Sequence, residues 1–329
     1  MLRVVFMGSP EDVVAPLGHL LKHGRDAGFL LVAAVSQPAR PVGRGGALQD
    51  PPVAAFAKQH DLLCLQPESA KSTEFLQELR SLSPDVIVTA AYGQILSDDF
   101  LKIPRLGTIN IHPSRLPKYR GATPVPAALL DGLEYTAVTI LFTVKKLDAG
   151  NIILQRDFAI ESHETAGMLT RRLFAASGEL LMEALRIISS DVAYQGVAQN
   201  DADATFCKKI EKDMGLINWG LNSAVIVNRF RAFEPWPGSW TFLGDKRLVI
   251  TEMDLCLTHD GELRRAGSFG YDKAKKSLVV KCGKGLVCVR RLKPAGGKEM
   301  DAGSFWNGLK DKSETSFVMT SDHIKDPIG

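Results

Sequence analysis

The fold of this chain is decided at its start by the stretch LRVVFMGSP, residues 2–10. A short apolar run that ends at a glycine predicts a buried β-strand over residues 2–7. Apolar residues at helical spacing follow within 10–23, and the run Phe29–Val35 predicts a second buried strand. Strand, helix and strand in this order predict the first βαβ unit of a parallel sheet.

The same alternation continues further along the chain. Helices are predicted over 51–60, 74–82 and 164–188, and strands over 62–65, Val86–Ala90, 108–111, 135–144 and 152–160. Pro51 stands at the start of the first of these helices, and Pro84 precedes the strand Val86–Ala90, which fits the preferences of that residue. We therefore expect an α/β fold over residues 1–189, with a doubly wound, mostly parallel sheet that carries helices on both faces.

The pattern changes after residue 189. Residues 190–206 are polar and rich in turn-forming residues, which is typical of a linker. Over 207–312, short apolar runs are separated by glycines and charged turns, which predicts a small β-barrel domain. Its strands are expected at Ser239–Leu243, 247–253, Ser277–Lys281 and 285–292. The remaining residues, 313–329, are expected to form a loosely held tail.

Charge is distributed unevenly between the two parts. The net charge is +3 overall, with −3 over residues 1–206 and +6 over residues 207–329. Within 264–298 there are eleven basic residues and a single acid, Asp272. This asymmetry indicates a polyanionic partner for the second part. A solvated, lysine-rich surface that maintains solubility would give the same count, so both interpretations stay open.

Other classes of protein are disfavoured. Apolar runs are too short and too often interrupted to cross a bilayer, and the N-terminus resembles a strand more than a secretory signal. The chain has five cysteines without a CxxC motif, so neither a disulfide framework nor a metal site is indicated and the cytoplasm is expected. Gly8-Ser9-Pro10 lacks the glycine pattern of a dinucleotide site, and a P-loop motif is absent.

The densest polar signal directly follows a predicted strand, in NIHPSRLP at residues 110–117. Asn110 and His112 are two residues apart and point to one side of an extended chain, and Asp148 follows in a turn before Gly150. Carboxyl ends of parallel strands are where ligands bind. An amide that binds an oxyanion, an imidazole that manages a proton and a carboxylate that holds the imidazole are together suited to acyl transfer. A histidine capping a sheet edge and an aspartate forming a turn remain the structural alternative.

Several motifs resemble the methionyl-tRNA formyltransferase family. They are FMGSP (6–10), QP (37–38) with RPVGRG (40–45), AYGQIL (91–96), NIHPS (110–114), LP (116–117) with YRGA (119–122), LDAG (147–150), INW (217–219), RAF (231–233) with PWP (235–237), and LKPAG (292–296). The resemblance runs in order from residue 1 to about residue 310. The set Asn110, His112 and Asp148 belongs to the wider group of 10-formyltetrahydrofolate-dependent enzymes, whereas the arginine-containing loop and the C-terminal motifs are specific to the tRNA enzymes.

The resemblance implies a Rossmann-like formyltransferase domain and an OB-like tRNA-binding domain. It implies transfer of a formyl group from 10-formyltetrahydrofolate to the α-amine of initiator methionyl-tRNA, without a metal, by a monomer. Asn110, His112 and Asp148 take the catalytic positions. The folate-contacting positions fall on Ser114, Arg115, Leu116, Pro117, Tyr92 and Gly93. Arginines of the loop and basic residues of the second domain would contact tRNA: Arg40, Arg44, Arg264, Arg265, Lys273, Lys275, Lys276 and Lys281.

The sequence departs from the family pattern at two points. Arg115 stands where the family usually has an apolar residue, so the local folate contact is expected to differ. Gly46, Ala47 and Leu48 follow Gly45 where lysines are common, which leaves the loop with Arg40 and Arg44 alone. Its binding to the acceptor stem is therefore expected to be weaker.

Two other functions share some of these features. A sugar-amine or glycinamide-ribotide formyltransferase would use the same Asn110, His112 and Asp148, but it would not explain the basic second part or the arginine loop. A tRNA-binding module that has lost activity would explain the basic residues, but the intact catalytic set argues against it. Formylation assays separate these hypotheses.

Overall fold

The computed structural model describes residues 1–42, 46–256, 265–312 and 315–318. The chain divides into two compact units. The first consists of Met1–Gly121, Tyr135–Ala159 and Leu169–Phe206, and the second of Ala122–Glu134, Ile160–Met168 and Cys207–Gly329. None of the described helices is both long and apolar enough to span a membrane.

A seven-stranded sheet forms the centre of the first unit, in the order β10-β9-β7-β6-β1-β2-β5. Its strands are β1 (Leu2–Gly8), β2 (Phe29–Val35), β5 (Cys64–Leu65), β6 (Val86–Ala90), β7 (Thr108–His112), β9 (Tyr135–Phe142) and β10 (Ile152–Ala159). The strands from β7 to β5 are parallel, whereas β9 is antiparallel to both β7 and β10. Two short pairs complete the strands of this region: β3 (Arg40–Val42) with β4 (Ala47–Gln49), and β8 (Arg120–Gly121) with β11 (Phe206–Cys207).

Both faces of the sheet are buried. Val5 and Met7 pack in one cluster with Phe75 of a helix on that face, while Val4 and Phe6, which point to the opposite face, are also fully buried. The helices of this region are α1 (Val14–His23), α2 (Pro52–Gln59), α3 (Thr73–Ser81), α4 (Asp98–Leu101) and the long α6 (Ala166–Ser190), which continues from the second unit. The predicted doubly wound, mostly parallel fold is confirmed.

The segment predicted as a linker is bonded to the first unit. Ile152 and Val197 exchange two backbone hydrogen bonds of 2.8 Å, and the backbone N–H of Arg120 donates to the carbonyl of Thr205 at 2.9 Å. Residues 197 and 205 are thus hydrogen-bonded to β10 and to β8.

The second unit contains a six-stranded antiparallel sheet. Its strands run in the order β12-β13-β16-β15-β14, and the short β17 pairs with β16. They are β12 (Ser239–Leu243), β13 (Lys246–Cys256), β14 (Phe269–Asp272), β15 (Ser277–Lys281), β16 (Leu286–Pro294) and β17 (Met300–Asp301). The helices α5 (Pro124–Leu130), α7 (Ser223–Phe233) and α8 (Ala302–Asn307) belong to the same unit. The predicted β-rich second domain is confirmed, and its described strands form an antiparallel sheet.

Aromatic side chains fill the core of the second unit. Phe317 stacks on Phe269 with ring centroids 4.3 Å apart and on Trp219 at 5.2 Å. The Phe317 side chain is 1% exposed. Residues 315–318 are therefore packed, which differs from the loosely held tail expected from residue 313; the rest of that segment, 313–314 and 319–329, lies outside the described residues.

Candidate active site at the end of strand β7

The candidate site lies at the carboxyl end of β7, between β6 and β9. Asn110 and His112 are two residues apart on this strand, and the strand ends at His112 because Pro113 cannot continue the ladder. His112 is 4% exposed, and Asn110 is half-buried. The extended backbone thus presents an amide and an imidazole on one side of the strand, as the spacing predicts.

The amide of Asn110 is oriented by the neighbouring strand. Thr89 pairs with Asn110 across β6 and β7, and its Oγ1 lies 2.9 Å from Asn110 Oδ1 and 3.1 Å from the carbonyl oxygen of Ile109. The buried hydroxyl shares its single proton between these two acceptors. Asn110 therefore holds its oxygen toward Thr89 and turns its NH₂ group away from β6.

A backbone carbonyl sets the tautomer of His112. His112 Nε2 lies 3.0 Å from the carbonyl oxygen of Tyr119. A carbonyl only accepts hydrogen bonds, so Nε2 carries a proton and donates it. The other ring nitrogen, Nδ1, faces Asp148 Oδ2 at 3.7 Å. The residue pattern favours Asp148 as the group that holds one tautomer, whereas in the structure the Tyr119 carbonyl does so.

Asp148 is held in the loop between β9 and β10. Its φ angle is +47°, in the left-handed region, and its Oδ2 accepts a hydrogen bond of 2.8 Å from the backbone N–H of Gly121. Gly150 has to be a glycine, because a Cβ there would lie 1.7 Å from the carbonyl oxygen of Phe142. The loop thus approaches the end of β9 closely, and the Asp148 side chain is 12% exposed beside His112.

In the segment 114–117 the serine points inward and the arginine points outward. Ser114 is fully buried and donates its hydroxyl to the carbonyl of Lys118 at 2.9 Å, and Leu116 is 3% exposed. Arg115 points outward and forms a two-pronged ion pair with Asp157 on β10. Pro117 is half-buried. The four residues directly follow the strand that carries Asn110 and His112, and the Arg115 guanidinium already has an intramolecular partner.

Tyr92 and Gly93 follow β6 at the same edge of the sheet. The Tyr92 ring packs in the core cluster of Val5, Met7 and Phe75, and burial raises the pKa of its hydroxyl to about 12. Its carbonyl accepts a hydrogen bond of 2.9 Å from Gln37 Nε2. Gly93 has a φ angle of +83°. The Tyr92 side chain therefore belongs to the core of the first unit.

The predicted tRNA-contacting residues fall into separate groups. Arg40 is exposed on β3, while Arg44 and Arg264 lie outside the described residues. Lys273, Lys275 and Lys276 share the turn between β14 and β15, and Lys275 is paired with Asp272. Arg265 and Lys281 lie at the other end of these strands, where Gly267 N–H donates to the Lys281 carbonyl.

Comparison with known proteins finds formyl transferase relatives for both parts of the chain. The formyl transferase family model matches residues 2–185, and that of the formyl transferase C-terminal domain matches residues 209–310. The chain is 36% identical over 312 residues to a Staphylococcus aureus (strain MW2) protein named methionyl-tRNA formyltransferase, with 94% of this chain and 97% of the relative covered. A Caldicellulosiruptor saccharolyticus protein of the same name is 37% identical over 313 residues, with 94% and 98% covered.

The chain belongs to the methionyl-tRNA formyltransferase family. Its fold recurs in solved formyltransferases of lower identity. The N-formyltransferase from Helicobacter canadensis, in complex with folinic acid and dTDP-3-aminofucose, is 19% identical with a TM-score of 0.65, over 88% of this chain and 99% of that one. Glycinamide ribonucleotide transformylase 1 from Symbiobacterium toebii is 22% identical with a TM-score of 0.52, over 61% of this chain and 95% of that one.

The sequence did not predict which groups hold Asn110, His112 and Asp148 in place. Thr89, Tyr119 and Gly121 contact Asn110, His112 and Asp148 from other elements. Gly121 lies within the YRGA motif. The motif identifies the segment, but it does not reveal that the backbone N–H of Gly121 contacts Asp148. Within the described residues, no three His, Cys, Asp or Glu side chains lie close enough together to hold a metal ion.

Proposed function

We propose that this chain transfers the formyl group of 10-formyltetrahydrofolate to the α-amino group of initiator methionyl-tRNA. The observation that carries this proposal is the convergence of the Asn110 amide, the His112 ring and the Asp148 carboxylate at one edge of the sheet. The set occurs in a chain that has both domains of relatives named for this reaction.

The chemistry is an acyl transfer between two nitrogens. The neutral amine attacks the formyl carbon, and a tetrahedral intermediate forms with an oxyanion and an ammonium group. The bond from the formyl carbon to N10 of the folate then breaks, as N10 gains a proton and the ammonium loses one. The products are N-formylmethionyl-tRNA and tetrahydrofolate.

Asn110 would stabilise the oxyanion. Thr89 fixes its oxygen, so the NH₂ group is presented as a donor before the substrate arrives. A donor oriented in advance costs no reorganisation when charge develops on the oxygen, and removing such a donor typically lowers the rate by about 10²–10³-fold.

His112 and Asp148 would handle the protons. Because Nε2–H is held by Tyr119, Nδ1 is the nitrogen that can accept a proton, and Asp148 lies 3.7 Å from it. A proton taken from the attacking amine, directly or through water, gives an imidazolium that faces a carboxylate and sits beside the oxyanion. The same proton can then be delivered to N10.

Substrate contacts are proposed for the groups around this centre. The segment 114–117 and the Tyr92–Gly93 backbone would contact the folate, and Arg40 with Arg44 would contact the acceptor end of the tRNA. Arg264, Arg265, Lys273, Lys275, Lys276 and Lys281 would meet phosphates of the tRNA body. We expect a monomer that acts in the cytoplasm.

The proposal is tested by measuring formylation of charged initiator tRNA and of elongator Met-tRNA, with 10-formyltetrahydrofolate present and absent. Donor-dependent product on the initiator, with far less on the elongator, is expected. Small amines, namely an amino sugar nucleotide and glycinamide ribotide, serve as competing acceptors. Formylation of a small amine without formylation of Met-tRNA would contradict the proposal, as would tRNA binding without any product.

A further inference from the structure

A side-chain bridge between a buried arginine and a half-buried glutamine reaches the Asp148 loop, and the mechanism above does not use it. It consists of Arg120 on β8 and Gln199 in the segment that follows α6. Arg120 is fully buried, and its Nε and Nη2 both donate to Gln199 Oε1, at 3.1 and 2.7 Å. Its Nη1 donates to Asp201 Oδ1 at 2.8 Å.

The other end of the Gln199 amide reaches the catalytic loop. Gln199 Nε2 donates to the carbonyl of Asp148 at 2.8 Å and to the carbonyl of Gly150 at 2.7 Å. Both acceptor positions of the amide oxygen and both N–H groups are therefore used. An amide is the group that this position requires, because it must accept from a cation on one side and donate to two carbonyls on the other.

We propose that Gln199 is a positioning residue for formyl transfer, which holds Asp148 in register with His112. The inference rests on the proposed function, since it concerns the same carboxylate. By fixing the backbone carbonyls on both sides of Ala149, Gln199 keeps Asp148 in its left-handed conformation, where Oδ2 meets the Gly121 N–H. Arg120 in turn orients Gln199.

The bridge also connects the two ends of the site through one short strand. Arg120 lies between Tyr119, whose carbonyl accepts from His112 Nε2, and Gly121, whose N–H donates to Asp148 Oδ2. Thr205 accepts from Arg120 N–H through its carbonyl and from Tyr119 N–H through Oγ1. The segment 199–205 thus contacts both Tyr119, whose carbonyl sets the His112 tautomer, and the loop that carries Asp148.

The first variants change only the amide. Gln199→Glu keeps the shape and the contact with Arg120, but it places a carboxylate oxygen against two carbonyls and should displace the loop. A misplacement of about 1 Å can cost about 10²-fold in rate, so we expect kcat to fall by about 10²-fold for Gln199→Glu and about 10-fold for Gln199→Ala. The KM values of both substrates should stay within about 2-fold, because the bridge stabilises catalytic geometry and not substrate contacts.

The matched control is Gln195→Ala on the same segment. Gln195 is exposed, and within the described part of the chain its side chain donates only to the nearby Ala193 carbonyl. Its kcat should equal that of the wild type. Thermal unfolding of all variants shows whether they are folded. Arg120→Lys is an independent variant, because it keeps the buried charge but loses the two parallel N–H donors to Gln199; its kcat should fall while its KM values stay near those of the wild type.

Two measurements decide the proposal. In a double-mutant cycle, Gln199→Ala combined with Asp148→Asn should be no slower than Asp148→Asn alone within about 2-fold, because Gln199 acts through Asp148. Independently of activity, hydrogen exchange of the Gly121 amide should be about 10-fold faster in Gln199→Glu than in Gln195→Ala. If the wild type does not transfer a formyl group, the proposed function is refuted. The role of Gln199 in holding the Asp148 loop is then tested by hydrogen exchange of the Gly121 amide alone. Multiplicative losses in the cycle, wild-type kcat in Gln199→Glu, or unchanged Gly121 exchange would overturn the positioning role.

Discussion

Thr89 controls the orientation of the oxyanion donor from a neighbouring strand. Thr89→Val removes the hydroxyl that holds Asn110 Oδ1 and keeps the shape of the side chain, so the amide can rotate. Since loss of a complete oxyanion donor costs about 10²–10³-fold, we expect kcat to fall by about 10-fold for this partial loss. Steady-state kinetics check it, and Thr89→Ser, which retains the hydroxyl, should lie near wild type. Equal kcat for the valine and serine variants would show that Asn110 is oriented by other groups.

Tyr92 gives a pH-dependent prediction at the same scale. Burial raises the pKa of its hydroxyl to about 12 in the folded state, above the ordinary value of 10.0. The unfolded chain therefore loses this proton first as pH rises, and the contribution of Tyr92 to stability is lost between pH 10 and about 12. Over that range the free energy of unfolding should fall more steeply in wild type than in Tyr92→Phe.

The Tyr92 hydroxyl is buried and has no hydrogen-bond partner among the described residues, so Tyr92→Phe should be at least as stable as wild type at pH 7. Denaturant unfolding at a series of pH values measures both effects. The same variant tests the folate contact expected at this position. An unchanged KM for 10-formyltetrahydrofolate would restrict that contact to the backbone, whereas a raised KM would show that the hydroxyl itself is used.

The sequence predicts the residues that carry chemistry better than the residues that orient them. Asn110 and His112 are two residues apart on one strand, so their side chains lie on the same side. This follows from the local sequence alone. Tyr119 and Gly121 act through backbone atoms, which no side-chain pattern reveals. Gln199 lies 51 positions from Asp148, and its contact depends on how the segment after α6 returns to the sheet. Such contacts follow from tertiary structure.

At the scale of elements, the β9–β10 loop depends on close backbone approach. A Cβ at position 150 would lie 1.7 Å from the Phe142 carbonyl oxygen, so Gly150→Ala has to displace the loop or the end of β9. We expect a loss of more than about 2 kcal/mol in the free energy of unfolding, and a fall in kcat as Asp148 moves.

The matched control is Gly270→Ala on β14, because a Cβ there meets no atom of the described residues within 4 Å. Its stability should change by less than about 0.5 kcal/mol. Differential scanning calorimetry and steady-state kinetics compare the two variants. Gly150→Ala with wild-type stability and kcat would contradict the close approach.

The β3–β4 hairpin provides a second element-scale prediction. Arg40 is exposed at its start, and Asp50 at its end bonds Lys58 and Gln66. If the hairpin reads the acceptor end, Arg40→Ala should raise the KM for initiator Met-tRNA while leaving the KM for the folate within about 2-fold, because removing a phosphate or base contact weakens tRNA binding alone. Arg25→Ala, an exposed arginine outside the hairpin, is the control. Unaltered tRNA kinetics in Arg40→Ala would exclude the hairpin contact.

Element prediction from the sequence succeeds where burial is uniform and fails where short segments depend on partners. Apolar runs such as Val86–Ala90 are strands in the structure because both faces of the sheet are covered. The β3–β4 hairpin and α7 were missed. The hairpin is exposed and only three residues long on each side. Helix α7 (Ser223–Phe233) buries Arg229 among its apolar residues, which obscures its helical pattern.

For the whole molecule, the basic second domain predicts salt-sensitive tRNA binding. Among the described residues, those predicted to contact tRNA in this domain form two groups, at opposite ends of β14 and β15. The five residues of β15 span about 16 Å at about 3.3 Å per residue. Lys273→Gln with Lys276→Gln, and Arg265→Gln with Lys281→Gln, test the two groups separately. The pair that binds phosphates should lower the slope of log Kd against log salt by about 1 for each basic side chain removed from a phosphate. Unchanged slopes in both double variants would favour a solvated surface.

Single-turnover formylation tests most directly whether Asn110, His112 and Asp148 transfer a formyl group to Met-tRNA. Wild type, Asn110→Ala and His112→Ala are mixed in excess with charged initiator tRNA and 10-formyltetrahydrofolate, and tRNA affinity is measured in parallel. We expect a rate at least about 10²-fold lower in each variant, with tRNA affinity within about 2-fold of wild type, because the interactions that are removed form only in the transition state. Near-wild-type rates in either variant, or a slower reaction explained entirely by weaker tRNA binding, would contradict the assignment.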